Sequence, residues 1–254
     1  MAVLSRIRRH GTRRDRHDPR DHRYIIPSRL RRHLPRAVDL RPWCPPVYDQ
    51  RHLNACSANA IAAAIWFDER RQAPACASPS RLFIYYNERR REGSISVNAP
   101  VEIRDGYRSV ARDGACSEQM WPYRVERYRR RPPERCYQAA VKRRAIRYAR
   151  IEQTLQHLKA CLAEHYPFTA GFAVYRSFES REVRRTGIVP LPATHEACLG
   201  GHAMLVVGYA DAEEHFIVCN SWGARWGDRG YCYLRYDHVL DPTHAWDFWT
   251  VRRV

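Results

Sequence analysis

Lysine is almost missing from this chain: Lys142 and Lys159 are the only two, against 42 arginines. So one-sided a use of arginine is at least as readily the mark of a genome's base composition as of selection for an anionic partner. Arginine-rich clusters occur at 6–20, 89–91 and 127–135. No nucleic-acid-binding motif accompanies them, so they read as solvated faces with salt-sensitive adhesion and no specific nucleic-acid partner. The nine cysteines contain no C-x-x-C pair and no metal-ligand spacing, which argues against a zinc or redox module; neither a metal nor an organic cofactor is expected. Nor is there an apolar run of secretory-signal or membrane-spanning length. The expectation is no membrane partner and no export by the usual signal-peptide route, leaving a cytoplasmic location or a non-classical route. Internal repeats and low-complexity linkers are also absent.

What is present is a soluble composition: 44% hydrophobic and 28% charged residues, with a formal net charge of +17. A length of 254 residues suffices for two packed lobes. Residues 1–35 read as a basic arm whose Tyr24, Ile25, Ile26 and Leu30 suffice to dock but not to fold alone; a disordered tail and a segment lying near a cleft are both open. Residues 36–140 read as a helical lobe, with helices from Cys56 to Arg71, after a Ser80 cap, and from Val101 to Arg112 before Gly114. The basic run after Tyr123 is the candidate seam. Residues 141–254 read as β-rich, with strands at 145–151 and 168–175 and in AMLVVGYA, HFIVCN, GYCYLRY and FWTVRRV, and a helix from 153 to 165.

Chemistry concentrates at Tyr48 to Ala64, YDQRHLNACSANAIAAA. Cys56 opens the helix, where unpaired N–H groups and the positive end of the macrodipole favour a thiolate, the nucleophilic form. Gln50 can bring a side-chain NH₂ near the sulfur, so that it and the Cys56 N–H form two oxyanion donors. In the second half, His202 follows a glycine pair at the head of an apolar strand. Asn220 ends the next strand, across a presumed hairpin at 211–214. An imidazole to share the thiol's proton and an amide to orient it are what thiol catalysis asks for. Trp222 would shield the His–Asn pair from water.

In the order Gln, Cys, His, Asn, the segments QRHLNACSANA, GGHAMLVVGY and CNSWGARWGDRGY resemble the papain family of cysteine peptidases, in particular bacterial members without a long pro-segment. The resemblance covers residues 36–254. It implies an α+β, two-lobed papain-like fold, a helical lobe plus an antiparallel β-barrel-like lobe. It also implies a thiol protease (hydrolase) acting through a thioester on Cys56, with His202 as general acid/base, Asn220 as its orienter, and Gln50 with the Cys56 N–H as oxyanion hole. Gly201 and Trp222 would touch a peptide or protein substrate, and a monomer is expected. The segments 94–101 and 199–201 are candidates for the substrate pocket. The chain departs from the family at Arg51, Leu53, Asn54, Ala55 and Ser57, where glycine, cysteine, glycine, serine and tryptophan are usual. Positive φ there would suit Asn54 and strain Arg51. These departures motivate the alternatives of a catalytically weak binding module or a ligase or amidotransferase using the same triad. The remaining cysteines are expected to be mostly reduced; Cys198 reads as a redox-sensitive neighbour of the site or, in preference, as a buried thiol.

Overall fold

The structure, a computed structural model, describes residues 11–144 and 146–253. The start of the arm (1–10) and Ala145, the first residue of an expected strand, lie outside them. In chain order the elements are β1 (Thr12–Arg13), α1 (Ser28–Arg32), β2 (Ala37–Asp39), α2 (Cys56–Gln72), α3 (Arg81–Arg91), β3 (Val101–Glu102), α4 (Ile103–Asp113), α5 (Glu134–Ala140), β4 (Ile146–Arg150), α6 (Leu155–Ala163), β5 (Phe168–Tyr175), α7 (Arg181–Thr186), β6 (Cys198–Ala210), β7 (His215–Cys219), β8 (Tyr231–Arg235), α8 (Tyr236–Leu240) and β9 (Ala245–Arg253).

Local chemistry accounts for the helix ends. Ser80 caps α3 by accepting from the Phe83 N–H at 3.1 Å. Gly114 ends α4 at φ 74, a conformation glycine adopts freely. The expected start of α4 at Val101 is corrected: Val101 and Glu102 pair with the arm as β3, and the helix begins at Ile103. The run after Tyr123 holds a 3₁₀ turn (Val125–Arg127) and α5, entered through Pro133. Its arginine-rich sequence hides a turn of helix whose buried face is only Cys136 and Ala140.

α2 is buried nearly all round, from Cys56 to Glu69 except Trp66. Such a helix belongs between layers, not on a surface. Its alanines allow close approach to β6 and β9 on one side and to α3 and α4 on the other.

The main sheet has the order β4-β9-β5-β6-β7-β8, with β2 on β6, and every strand pair is antiparallel. It does not close, so the barrel-like expectation is corrected to an open, mostly antiparallel sheet. Its two edges are covered by chain instead of pairing with each other. On β4, the arm bridges at Arg23 to Arg150, with Tyr24 N–H to Arg150 O at 2.8 Å and Arg150 N–H to His22 O at 2.7 Å. On β8, Ile188 bridges to Tyr233.

The described part of the arm is ordered onto the body. β1 runs parallel to β3, Thr12 opposite Val101. Beyond it, Asp15 is held by Trp249 Nε1 (2.7 Å), Arg150 (2.8 Å) and the Arg104 N–H (3.2 Å), while Asp18 and Asp21 meet Arg108 and Arg104. No helix among the described residues is long and apolar enough to cross a membrane.

Candidate active site

Cys56 is the first residue of α2, and its side chain is fully buried. Three backbone N–H groups act on its sulfur: those of Ala203 on β6, Gly11 in the arm and Ser57. Burial outweighs them and pushes the thiol up to about 11. In this closed arrangement Cys56 is therefore a thiol at neutral pH, not a thiolate.

His202 lies inside β6, opposite Phe172 of β5, because β6 begins at Cys198 instead of at the expected glycine pair. Asn220 follows β7 directly, and the expected connection at 211–214 separates β6 from β7. The strand pair thereby sets the two side chains together, with His202 Nε2–H donating to Asn220 Oδ1 at 2.8 Å. The same oxygen accepts the Ser221 N–H at 2.7 Å, which fixes the amide's orientation. The Trp222 indole covers the pair, its centroid 4.9 Å from that of the imidazole, and is itself wedged between Phe178 and Trp226.

Gln50 is 1% exposed and reaches the same place from the other half of the chain. Its N–H donates to Ser221 O at 2.8 Å, Asp49 bridges to Trp222, and Gly223 N–H donates to Tyr48 O at 2.9 Å, so the loop before α2 is zipped onto the segment after β7. Ser221 Oγ donates to Gln50 Oε1 at 2.6 Å and Gln50 Nε2 donates to Leu53 O at 2.9 Å. Tyr123 Oη holds Gln50 O at 3.0 Å.

The unusual loop residues each find a physical place. Arg51 takes φ 55, stabilised by its N–H on Asp49 Oδ1 at 2.8 Å. Asn54 is not the positive-φ residue: it is buried and joined to Asn98 twice, through its N–H (2.8 Å) and its Nδ2 (2.6 Å). Leu53 is core, and Ser57 donates to Glu88 Oε1 at 2.8 Å. All nine cysteines are free thiols; Cys198 is exposed, which corrects the buried expectation, because it stands at the outer end of β6 beside a register shift. Glu196 accepts from the Ser177 and Ala193 N–H groups and so ties a loop.

The arm runs through this site. A Cβ on Gly11 would lie 2.6 Å from the Cα and O of Asn54, and one on Gly201 would lie 2.6 Å from Thr12 O. Thr12 and Gly201 are thus in direct apposition, and Arg14 stacks on Trp246 with 4.5 Å from guanidinium to ring centroid. Sequence reasoning did not single out Gly11, although it is the only glycine before Gly93. Ser221 was within the NSWG block, its hydroxyl's role unread. Among the described residues no group of three metal-ligating side chains occurs.

Comparison with known proteins places this geometry in a family. The family model for papain family cysteine proteases matches residues 99–241, a span that includes His202 and Asn220 and begins after Cys56. An uncharacterized peptidase C1-like protein of Acanthamoeba polyphaga mimivirus is 40% identical over 215 residues, 81% of this chain and 69% of that one. Cathepsin L of Sarcophaga peregrina is 27% identical over 221 residues, 82% of this chain and 60% of its own. Among solved structures, xylellain, a cysteine protease from Xylella fastidiosa, superposes with a TM-score of 0.90 at 38% identity, covering 100% of both chains. Digestive procathepsin L 3 of Tenebrio molitor shares the fold with a TM-score of 0.73 at 16% identity, covering 98% of this chain and 77% of that one. The chain belongs to the papain family of cysteine proteases and is a papain-like cysteine peptidase, a hydrolase.

Proposed function

We propose that this peptidase cleaves peptide bonds through a thioester acyl-enzyme on Cys56. His202 takes the thiol's proton through its Nδ1 side and later delivers it to the leaving amine, while Asn220 holds Nε2–H and so sets ring orientation and tautomer. The oxyanion that forms on attack sits between the Cys56 N–H, at the head of α2, and the Gln50 amide. Acylation forms the S–C bond and expels the amine; water, deprotonated by His202, then releases the acid and restores the thiol. Trp222 keeps water from the His–Asn bond, and Gly201 lies along the bound peptide. Residues 36–140 contribute the nucleophile and Gln50, residues 141–254 the imidazole and its amide.

The observation that carries this reading is the 2.8 Å His202–Asn220 hydrogen bond on a strand whose next residue, Ala203, directs its N–H at Cys56. A peptide-library cleavage profile of wild type beside Cys56→Ala tests it. Loss of all cleavage in the variant is expected; cleavage that persists would overturn the assignment. The full burial of Cys56 favours a second reading, a catalytically weak binding module. Covalent capture of Cys56 by an epoxide thiol trap would exclude that reading, whereas a folded chain that never labels would support it.

A further inference from the structure

Beneath Cys56 lies a carboxyl group that the mechanism above leaves unused. Glu88, on α3, is fully buried. Its Oε1 receives the Ser57 hydroxyl at 2.8 Å, and its Oε2 is buried with no hydrogen-bond partner. Oε2 faces the Cα of Gly106 on α4, where an added Cβ would lie 2.9 Å away. Ser57 follows Cys56 in the first turn of α2, so this carboxyl is tied to the same turn as the sulfur.

The charged groups around Glu88 are Arg89 and Glu92 on α3 and Asp105 on α4. Arg89 directs its N–H groups to the carbonyls of Tyr85, Ile95, Val97 and Tyr128. Glu92 is paired with Arg13 of the arm and with the Glu102 N–H, and Asp105 lies 3.6 Å from Arg91 and 3.8 Å from Arg108. Among the described residues no cation donates to Glu88. A carboxylate with one naked oxygen in such a place is unfavourable, and the neutral acid is the form that burial selects. Its pKa is accordingly pushed up to about 8 by burial, against the Ser57 hydrogen bond. The coupling runs both ways, because negative charge on Glu88 also raises the Cys56 thiol.

We propose that Glu88 is a positioning residue for Cys56: as a neutral acid it holds Ser57 and the first turn of α2 without charge, and when ionised it opposes the thiolate and sets the alkaline limit of catalysis. The proton is lost to solvent, and no other group need gain it. The inference rests on Cys56 as the nucleophile.

The test is the pH profile of the full chain on a fluorogenic peptide for wild type, Glu88→Gln and Cys56→Ala, with the Cys56 thiolate read from absorbance at ~240 nm relative to the Cys56→Ala counterpart. Glu88→Gln is expected to move the alkaline limb of kcat/KM upward by about one pH unit and to lower the midpoint of thiolate formation. Unchanged limb and midpoint, with Cys56→Ala inactive, would overturn this inference alone. Activity in Cys56→Ala would overturn the mechanism itself. Should Glu88→Gln fail to fold, ¹³C NMR of the glutamate carboxyls in the wild type decides. One resonance titrating near 8 and displaced by Ser57→Ala is expected; titration of every glutamate below about pH 6 would refute the proposal.

Discussion

The hydroxyl of Ser221 donates to Oε1 of Gln50 at 2.6 Å, linking the segment after β7 to the loop before α2. An amide has two ends: Ser221 holds Oε1 while Nε2 donates to Leu53 O at 2.9 Å, and on the proposed mechanism the second N–H of Nε2 is the one the oxyanion meets. Ser221→Ala releases the amide to rotate. On the proposed mechanism it lowers kcat/KM about ten-fold, the worth of one hydrogen bond, while Gln50→Ala lowers it about a hundred-fold. The double variant should be no slower than Gln50→Ala, and steady-state kinetics on one peptide measures all three. A double variant showing the product of both losses would mean that Ser221 acts elsewhere.

Gly11 leaves no room for a side chain against Asn54. Gly11→Val should therefore lift the arm from the sulfur without touching the core. Cys56 labelling by a small alkylating agent should accelerate about ten-fold or more, corresponding to loss of at least ~1.4 kcal/mol of closure. Deleting residues 1–33 should do the same. Unchanged labelling, activity and stability after deletion would show that the arm does not guard the site.

Docking of the arm should weaken as pH rises. Burial, and then the nearby Asp247, push Asp15 up to about 7, and Asp247 is raised as well. In the released arm Asp15 returns to the ordinary value of 3.8. A carboxyl whose pKa is higher in the docked state binds a proton on docking. Its stabilisation is therefore complete below about pH 4 and is lost as pH rises to about 7. Asp18, lowered by its hydrogen bonds to Arg20 and Arg108, acts with the opposite sign, but a lowered carboxyl loses its stabilisation only as pH falls below the ordinary value of 3.8, outside this window. Hydrogen exchange at 13–15, corrected for intrinsic rates, should speed up across this window and become flat in Asp15→Asn. Slower exchange at higher pH would reverse the sign.

Arg89 is a buried cation whose N–H groups are satisfied by backbone carbonyls, with its guanidinium 4.1 Å from the Tyr85 ring centroid. Lysine cannot reproduce that fork. Arg89→Lys should cost about 3 kcal/mol in a denaturant titration, and it should free 94–97, whose carbonyls at Ile95 and Val97 the guanidinium holds. An unchanged midpoint would refute this account.

Periodicity and motif order made much of the molecule legible. The helix from Cys56 ends at Gln72, one residue past the expected stop, and β5 coincides with the expected 168–175. Helical spacing of Ile61, Ala62 and Ile65 and β-branched runs beside turns are local signals, and these elements follow them. What was not legible depends on contacts distant in sequence. Arg51 at positive φ was anticipated as a strained position, but the Asp49 side chain that supports it was not. Nothing local distinguishes Ser57 as a donor to Glu88, because that pairing exists only once α2 and α3 pack. The antiparallel sheet was legible and only its closure was not: whether a sheet closes depends on which segments cover its edges, and the arm, although Tyr24 and its apolar neighbours mark it as able to dock, gives no local sign that it covers β4.

The parallel pairing of Thr12 with Val101 has a consequence for measurement. An extended peptide that reaches for the same β3 edge competes with a strand tethered to the enzyme, present at an effective concentration in the millimolar range. Competition of that kind raises the apparent KM and leaves kcat intact. Short, weakly binding test peptides would thus report a poor enzyme, while a long substrate gripped on both sides of Cys56 would outbid the arm and reveal the true turnover.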